Sequence, residues 1–384
     1  MTQPIRIAHG MGAQPVEADW PALQQGDVEQ VLQRFPQLGA VQQLGWHSPR
    51  PFSAAAQVHT DRGEVFVKRH HRSVREPAWL EEEHRFVRWL QDRGAPVTPA
   101  LRDRDGHSAL ALGEWTYEVL PRAAGDDLYR DALSWTPFLD RHHAHSAGVA
   151  LARLHCAAEG FDAAPRQAPV LVANLRLFSQ PDPLRAIEQA LPGQPALARY
   201  LAGHDWHYAL KELHLPYHRQ LLPLLAAQPA LWTHNDWHAS NLLWRGQGGS
   251  AEVESVLDFG LSDRTFALFD LATALERNCI PWLELDDGGR AMADLNAVDA
   301  LLAGYASQRP LGRHDLLTLK ALLPLVHADF ALNEVDYFEG IVGSRASADI
   351  AYHAFLIGHA RWFGDSEGAR LLDHLARLAR THNN

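Results

Sequence analysis

The spacing of apolar residues divides this chain into two unequal parts. Between residues 19 and 35, Leu23, Val28, Val31, Leu32 and Phe35 recur as one stripe, which predicts a leading helix. The period then shortens. "AAAQVHT" and "EVFVKRH" are β-rich runs on either side of Asp61-Arg62-Gly63, a turn sequence, and together they predict a hairpin. Residues 77–93 return to helical spacing, with Pro77 in the first turn and Gly94 just past the end. "EWTYEVL" (Glu114 to Leu120) reads as a further strand, after which Pro121 and Gly125 break the pattern. From about residue 126 the chain is Leu- and Ala-rich and helical, interrupted by one strand-like island at 242–258. These patterns predict an α+β chain: a small β-rich N-lobe, residues 1–121, and a larger, mostly helical C-lobe, residues 122–384.

Composition narrows the function. The 384 residues can bury a sizeable core. A net charge of -11 argues against a sequence-independent nucleic-acid binder, which needs a basic face, and permits a cationic or neutral small substrate. Cys156 and Cys279 are the only cysteines, which suits a reducing, cytoplasmic location and excludes a disulfide framework. The first residues lack the apolar stretch of a signal peptide, and no apolar run approaches the ~18 residues of a membrane span. "RHHAHS" (Arg141 to Ser146) reads as a solvated helix start, because no acidic or Cys partners stand at ligand spacing.

The candidate chemistry lies in and around the β-island. "NLLW" and "VESVLD" flank the turn-rich "RGQGGSAE". A hairpin here sets Asn241, at the start of one strand, beside Asp258, at the end of the other. Asp236 sits on the loop just before. Two carboxylates and a carboxamide in one place suit Mg²⁺, which takes oxygen ligands and keeps positions for phosphate. A carboxylate beside the metal ligands can orient a hydroxyl and accept its proton. In the N-lobe, Val65 and Val67 face one way along their strand, Phe66 and Lys68 the other. Leu80, Glu83, Val87 and Leu90 fall on one helix face, so Glu83 is a carboxylate on an apolar stripe and needs a partner. Lys68 is the nearest candidate cation; Glu82, near Phe86 and Trp89, is the alternative carboxylate.

His234-Asn235-Asp236-Trp237-His238-Ala239-Ser240-Asn241, followed by Asp258-Phe259-Gly260, resembles the signature of the aminoglycoside phosphotransferase and choline kinase superfamily. The resemblance runs in order from about residue 25 to at least 280. "EEH.F" around Glu83 is similar to bacterial homoserine-kinase-type members. It implies a bilobal protein-kinase-like fold, ATP and Mg²⁺ as cofactors, and transfer of the γ-phosphoryl group to an alcohol. It implies Asp236 as the catalytic base and Asn241 and Asp258 as the metal ligands. Lys68 and Glu83 would position the phosphates, and Tyr117 to Pro121, with Glu118 and Leu120, would form the hinge facing adenine. "LARLH" (Leu151 to His155) would pack beneath the site. His234 would brace the loop, His238 would brace it or touch substrate, and Asp270 would steady the loop or cap its own helix. One departure is plain: the phosphate-covering loop is often glycine-rich, but here it reads "RPFSAAAQV". Ser53 would then donate to a phosphate. A Gly-x-x-x-x-Gly-Lys-Ser/Thr loop is absent, which excludes a P-loop kinase.

Three segments are candidates for the acceptor pocket: "GHDWHYALKE" with Asp205, Trp206, His207 and Tyr208; "ERNCIPWLELDD" with Glu276, Asn278 and Trp282; and one helical face made by Asp329, Asn333, Asp336 and Tyr337. Acidic and aromatic side chains suit an ammonium group. The expected acceptor is a hydroxylated small molecule: an amino alcohol, an amino acid or an amino sugar. The alternative is a nucleotide-binding pseudokinase acting as an interaction module. Neither nucleic acid nor membrane is an expected partner.

Overall fold

The computed structural model describes residues 7–9, 15–286 and 288–381. The leading helix, α1 (Gln25–Leu32), is shorter than the apolar stripe that predicts it. Gln24 and Asp27 form a reciprocal cap at its start, and Pro36 opens a separate 3₁₀ turn beyond it. All five stripe residues are nevertheless buried.

The N-lobe is a five-stranded antiparallel sheet. Its strands are β1 (Val41–His47), β2 (Ala54–Thr60), β3 (Gly63–His71), β4 (Leu110–Leu112) and β5 (Trp115–Pro121), in the order β1-β2-β3-β5-β4. The predicted hairpin is β2–β3, closing with Thr60 opposite Gly63. Ala54, Ala56 and Val58 alternate inward with Val65 and Val67 and pack on Val28, Val31 and Phe35 of the α1 region. Helix α2 (Pro77–Asp92) buries Leu80, Phe86, Val87 and Leu90. A wholly buried Phe such as Phe86 contributes roughly 1.5–3 kcal/mol.

The C-lobe is mostly helical and holds the larger core. Four short strands run through it: β6 (Ala230–Thr233), β7 (Leu242–Arg245), β8 (Glu252–Val256) and β9 (Asp263–Phe266). β7 pairs with β8, and β6 with β9, both antiparallel. Four helices frame them: α3 (Arg141–Ala158), α4 (Ala267–Cys279), α5 (Leu295–Ala306) and α6 (Ala328–Tyr337). Helix α3 starts at Arg141, with the Asp140 side chain accepting from the His142 N–H, so "RHHAHS" is a helix start as expected, but not a solvated one: His143 is buried between the Tyr129 hydroxyl and the Gly248 carbonyl. α3 and α5 touch backbone to backbone. A Cβ at Gly148 would lie 2.1 Å from the Leu301 carbonyl oxygen, and one at Gly304 2.0 Å from that of His145. That close crossing brings His155 of α3 to Tyr305 of α5. Among the described residues no helix is long and apolar enough to cross a membrane.

Candidate active site

Two cavities meet between the lobes. The larger, about 540 Å³, is lined by Trp46, Glu118, Leu120 and the β2–β3 surface. The smaller, about 140 Å³, is walled by Trp135, Phe330, Phe355, Arg277, Glu334 and Asp236. Arg50, Ser53, Lys68, Asn241 and Asp258 line both and so stand at the junction.

The 234–241 loop is held from beneath by α4. Asp270 is wholly buried and accepts the backbone N–H groups of His234 (2.7 Å) and Asn235 (2.9 Å). His155 Nε2 lies 3.1 Å from the same carboxylate, and its Nδ1 lies 2.8 Å from the Tyr305 hydroxyl. Asp270 is therefore no cap of its own helix, whose N-cap position is Phe266. Asn278, one helical stretch further on, accepts the Ala239 N–H and donates to the Trp237 carbonyl. His234 Nδ1 accepts the Asp236 N–H at 3.1 Å while its Nε2 meets the Leu257 carbonyl at 2.8 Å, a pattern that sets the Nε2–H tautomer. The ring thus ties the loop to the end of β8. Asn235 (φ 63°) and Asp258 (φ 55°) both sit in the left-handed region. Asn and Asp tolerate it because their short polar side chains bond nearby backbone. Asp258 Oδ1 does so, accepting the Gly260 N–H at 3.2 Å.

Asp236 faces the smaller cavity with three partners. Asn241 Nδ2 donates to its Oδ2 at 3.0 Å, Arg277 Nη1 lies 3.3 Å from Oδ1, and His238 Nε2 lies 3.5 Å from Oδ2. Burial opposes the charge on Asp236, but His238 and Arg277 outweigh it and hold the carboxyl well below the usual carboxylate range. His238 Nδ1 contacts Ser240 Oγ at 2.8 Å, and Arg50 Nη2 donates to that same oxygen at 2.7 Å. The hairpin register joins the second pair as expected. Leu242 faces Val256, and the Leu257 N–H reaches the Asn241 carbonyl at 2.8 Å, so Asn241 and Asp258 lie side by side.

On the N-lobe side the pairing differs from the expected one. Lys68 Nζ bonds Asp258 Oδ1 at 3.1 Å, not Glu83. Burial opposes the Lys68 charge, but Asp258, Glu118 and Glu83 together raise its pKa. Glu83 is buried as its position on the apolar face requires, and its ion-pair partner is the wholly buried Arg166, at 3.3 Å. Arg166 and Arg75 both donate to the Gly260 carbonyl, each at 2.9 Å. The carboxylate of α2 therefore reaches the Asp258 loop through a guanidinium. The second expected feature, the hinge segment, lies within β5. The Glu118 side chain is inserted between His70 Nε2 (3.0 Å) and His84 Nε2 (2.9 Å). Burial disfavours its charge, yet the two imidazoles hold it well below the usual range.

The acceptor-side expectations need correction. Asp329 accepts the backbone N–H groups of Leu177 and Phe178. Asn333 accepts from Leu171 N–H and Asp336 from Leu197 N–H. Tyr337 donates to Asp19 at 2.8 Å and accepts from Trp20 Nε1 at 3.2 Å. This face braces backbone and lines neither cavity. The adjoining face, Phe330 and Glu334, lines the smaller one. In "GHDWHYALKE", Asp205 caps its helix, Trp206 is buried and Tyr208 is exposed, all away from the cleft. In "ERNC" the cavity residue is Arg277, over the Trp135 ring at 4.5 Å, while Trp282 stacks on His359. Arg50, Arg277 and Glu334 are site residues that sequence reasoning missed. Arg50 stood in plain view in the quoted phosphate loop.

Residues 51–311 match the family described as the phosphotransferase enzyme family. Homoserine kinase of Pseudomonas aeruginosa (strain LESB58) is 26% identical over 257 residues, 66% of this chain and 69% of that protein. Among solved structures, the microcompartment-associated aminopropanol kinase is similar with a TM-score of 0.59 at 17% identity, covering 92% of this chain and 100% of that one. The amicoumacin kinase hAmiN, solved in complex with AMP-PNP, Ca²⁺ and Ami, has a TM-score of 0.53 at 14% identity over 87% of this chain and 92% of its own. These structural likenesses bear on the fold, which is bilobal and protein-kinase-like. The family match runs through both lobes and takes in Lys68, the 234–241 loop and Asp258: the chain belongs to the phosphotransferase enzyme family and is a phosphotransferase.

Proposed function

We propose that the chain transfers the γ-phosphoryl group of ATP to the hydroxyl of a small amino alcohol or amino acid, in the cytoplasm, with Asp236 as the residue that orients the hydroxyl. The observation that carries this is the position of Asp236 on the smaller cavity, next to the junction where Lys68, Asn241 and Asp258 open onto the larger one. The larger cavity has the volume for a nucleotide. The smaller, at about 140 Å³, is close to a cavity of ~150 Å³ that admits benzene, which favours a compact acceptor over a multi-ring amino sugar. The homoserine kinase and aminopropanol kinase likenesses support the same choice. With the lobes divided near residue 121, both would line each cavity: Lys68 and Glu118 face Asn241 and Asp258 across the larger, and Arg50 and Ser53 face Asp236 and Glu334 across the smaller.

Each residue has a part. The acceptor O–H gives its proton to Asp236 as its oxygen bonds the γ-phosphorus and the bond to the β-phosphate oxygen breaks, releasing ADP. The low pKa of Asp236 makes it a weak base, suited to taking a proton late, when the attacking oxygen has become acidic. His238, Arg277 and Asn241 fix the carboxylate. Asn241 and Asp258 would hold Mg²⁺: Asn241 spends its NH₂ on Asp236, leaving its carbonyl oxygen, and Asp258 keeps the oxygen that Lys68 does not engage. That oxygen-only set fits the ion. Bound Mg²⁺ neutralises charge on phosphate oxygens. Arg50 supplies a guanidinium where a glycine-rich loop would offer backbone amides. Glu334, raised to about 8 chiefly by burial, faces the acceptor with Trp135, Phe330 and Phe355, a setting that an ammonium group would recharge.

The pseudokinase reading draws on the glycine-free loop alone. A panel of hydroxylated amines and amino acids, with ATP and Mg²⁺ and ³¹P detection, separates the two. Phosphorylation of at least one compact acceptor is expected. Nucleotide binding without transfer to any acceptor sinks the proposal.

A further inference from the structure

Away from the cleft, His204, Asp349 and His353 meet at the surface of the C-lobe. One ligand atom from each lies within 4.8 Å of the others. His204 follows the Pro195–Leu201 helix. Asp349 and His353 stand one turn apart on a helix that begins at Arg345 and widens into the π-turn Ala351–Gly358. We propose that these three side chains form a binding site for a zinc-class divalent cation, which ties the Pro195–Leu201 helix to the π-turn.

The argument rests on how the groups are already oriented. His204 Nδ1 meets the Tyr200 carbonyl at 2.9 Å; as the donor there, the ring keeps the Nε2 lone pair for a metal. A ligating histidine whose other nitrogen donates to a backbone carbonyl is the usual arrangement around zinc. The two hydrogen bonds to Asp349, from the Tyr200 hydroxyl (2.7 Å) and Arg345 Nε (3.2 Å), both end on Oδ1, leaving Oδ2. The Tyr200 ring stacks on His204 at 4.6 Å and 9°. One tyrosine thus sets two of the three ligands. His353 is exposed and stands 5.4 Å from the His204 ring. Two imidazoles and one carboxylate suit a borderline cation such as zinc and leave a position for water. Arg345 places a positive charge beside Asp349, so binding is weaker than at a closed four-ligand site. π-Turns concentrate at functional positions, and this one also sends Phe355 into the smaller cavity, so an ion here braces one of its walls.

The test titrates zinc alone into the full chain by calorimetry and does not depend on the phosphotransfer reading. The wild type and Asp258→Asn are expected to bind one equivalent with equal affinity, because the cleft is not the site. His353→Ala and His204→Ala are expected to lose at least ~10-fold in affinity, and Tyr200→Phe about 10-fold, through loss of ligand orientation. His353 is exposed, so its substitution keeps the fold. Cobalt(II) in place of zinc is expected to give visible d–d bands that His353→Ala abolishes. Zinc binding that is absent from the wild type, or equal in wild type and His353→Ala, overturns the proposal.

Discussion

Two ion pairs flank the cleft, and they differ in everything except charge. Lys68–Asp258 spans 3.1 Å with side chains 16% and 40% exposed; Arg166–Glu83 spans 3.3 Å with 0% and 8%. A pair with one partner open to solvent is screened and can separate when a ligand offers new partners. A buried pair cannot separate, because either charge left alone in the interior is costly. Under the proposed function, the first pair is the one that a nucleotide and its metal would divide. The second is scaffold: Arg166 links α2 to the Gly260 carbonyl, two residues from Asp258. The cleft therefore has a ligand-facing layer and a bracing layer behind it, and substitutions sort them.

The largest expected effect lies in the ligand-facing layer. Asp236→Asn should cut turnover at least ~100-fold while leaving nucleotide affinity close to wild type. Unchanged turnover removes Asp236 from the chemistry. In the bracing layer, Arg166→Met strands Glu83 and should cost about 3–5 kcal/mol in denaturant unfolding. A stable Arg166→Met variant with poor nucleotide binding would merge the two layers and break the comparison. Arg50 belongs with the ligand-facing group. Arg50→Ala removes a charged donor and should raise the KM for ATP roughly 10-fold at little cost in stability.

Glu334 sharpens the comparison through pH. Burial is the main cause that raises its pKa to about 8; Arg277 opposes it, and Asp236 and Glu276 reinforce it. An unfolded glutamate loses its proton near pH ~4.3. Between those values the folded chain holds the extra proton, so this group's contribution to stability falls as pH rises from about 4.3 to about 8. Glu334→Gln should flatten that slope, as measured by denaturant unfolding at the two ends of the window. An unaltered slope means that Glu334 does not titrate there.

What could be read from the sequence was local. The β2–β3 hairpin and the Asn241–Asp258 register follow from alternation and turn residues within short windows. The burial of Glu83 follows from its place on an apolar stripe. Its partner does not, because nothing near Arg166 in sequence marks it as facing α2. β1 was missed because Val41–His47 is an edge strand with no wholly buried residue, an irregular register and little alternation. α6 shows the limit most clearly. Its amphipathic spacing is plain, but polar residues on a helix serve ligand or backbone equally well. The choice depends on the 171–178 segment, whose N–H groups need Asp329 and Asn333. The face that lines the smaller cavity is the neighbouring one, with Phe330 and Glu334, one residue over.

That reassignment is the subject of the smallest expected effect. The Tyr337 hydroxyl links α6 to Asp19 and Trp20, and its ring lies 5.6 Å from that of Phe52, just before β2. Tyr337→Phe keeps the ring and removes one buried hydrogen-bonding group, leaving Asp19 and the Trp20 indole to rearrange. A net loss of about 1 kcal/mol is expected on denaturant unfolding. Because Tyr337 lines neither cavity and its hydroxyl is engaged by Asp19 and Trp20, the KM for the acceptor and the turnover should not change. A rise in acceptor KM with unchanged stability would return Tyr337 to the ligand-facing layer, and with it the face of α6 that carries Asp329.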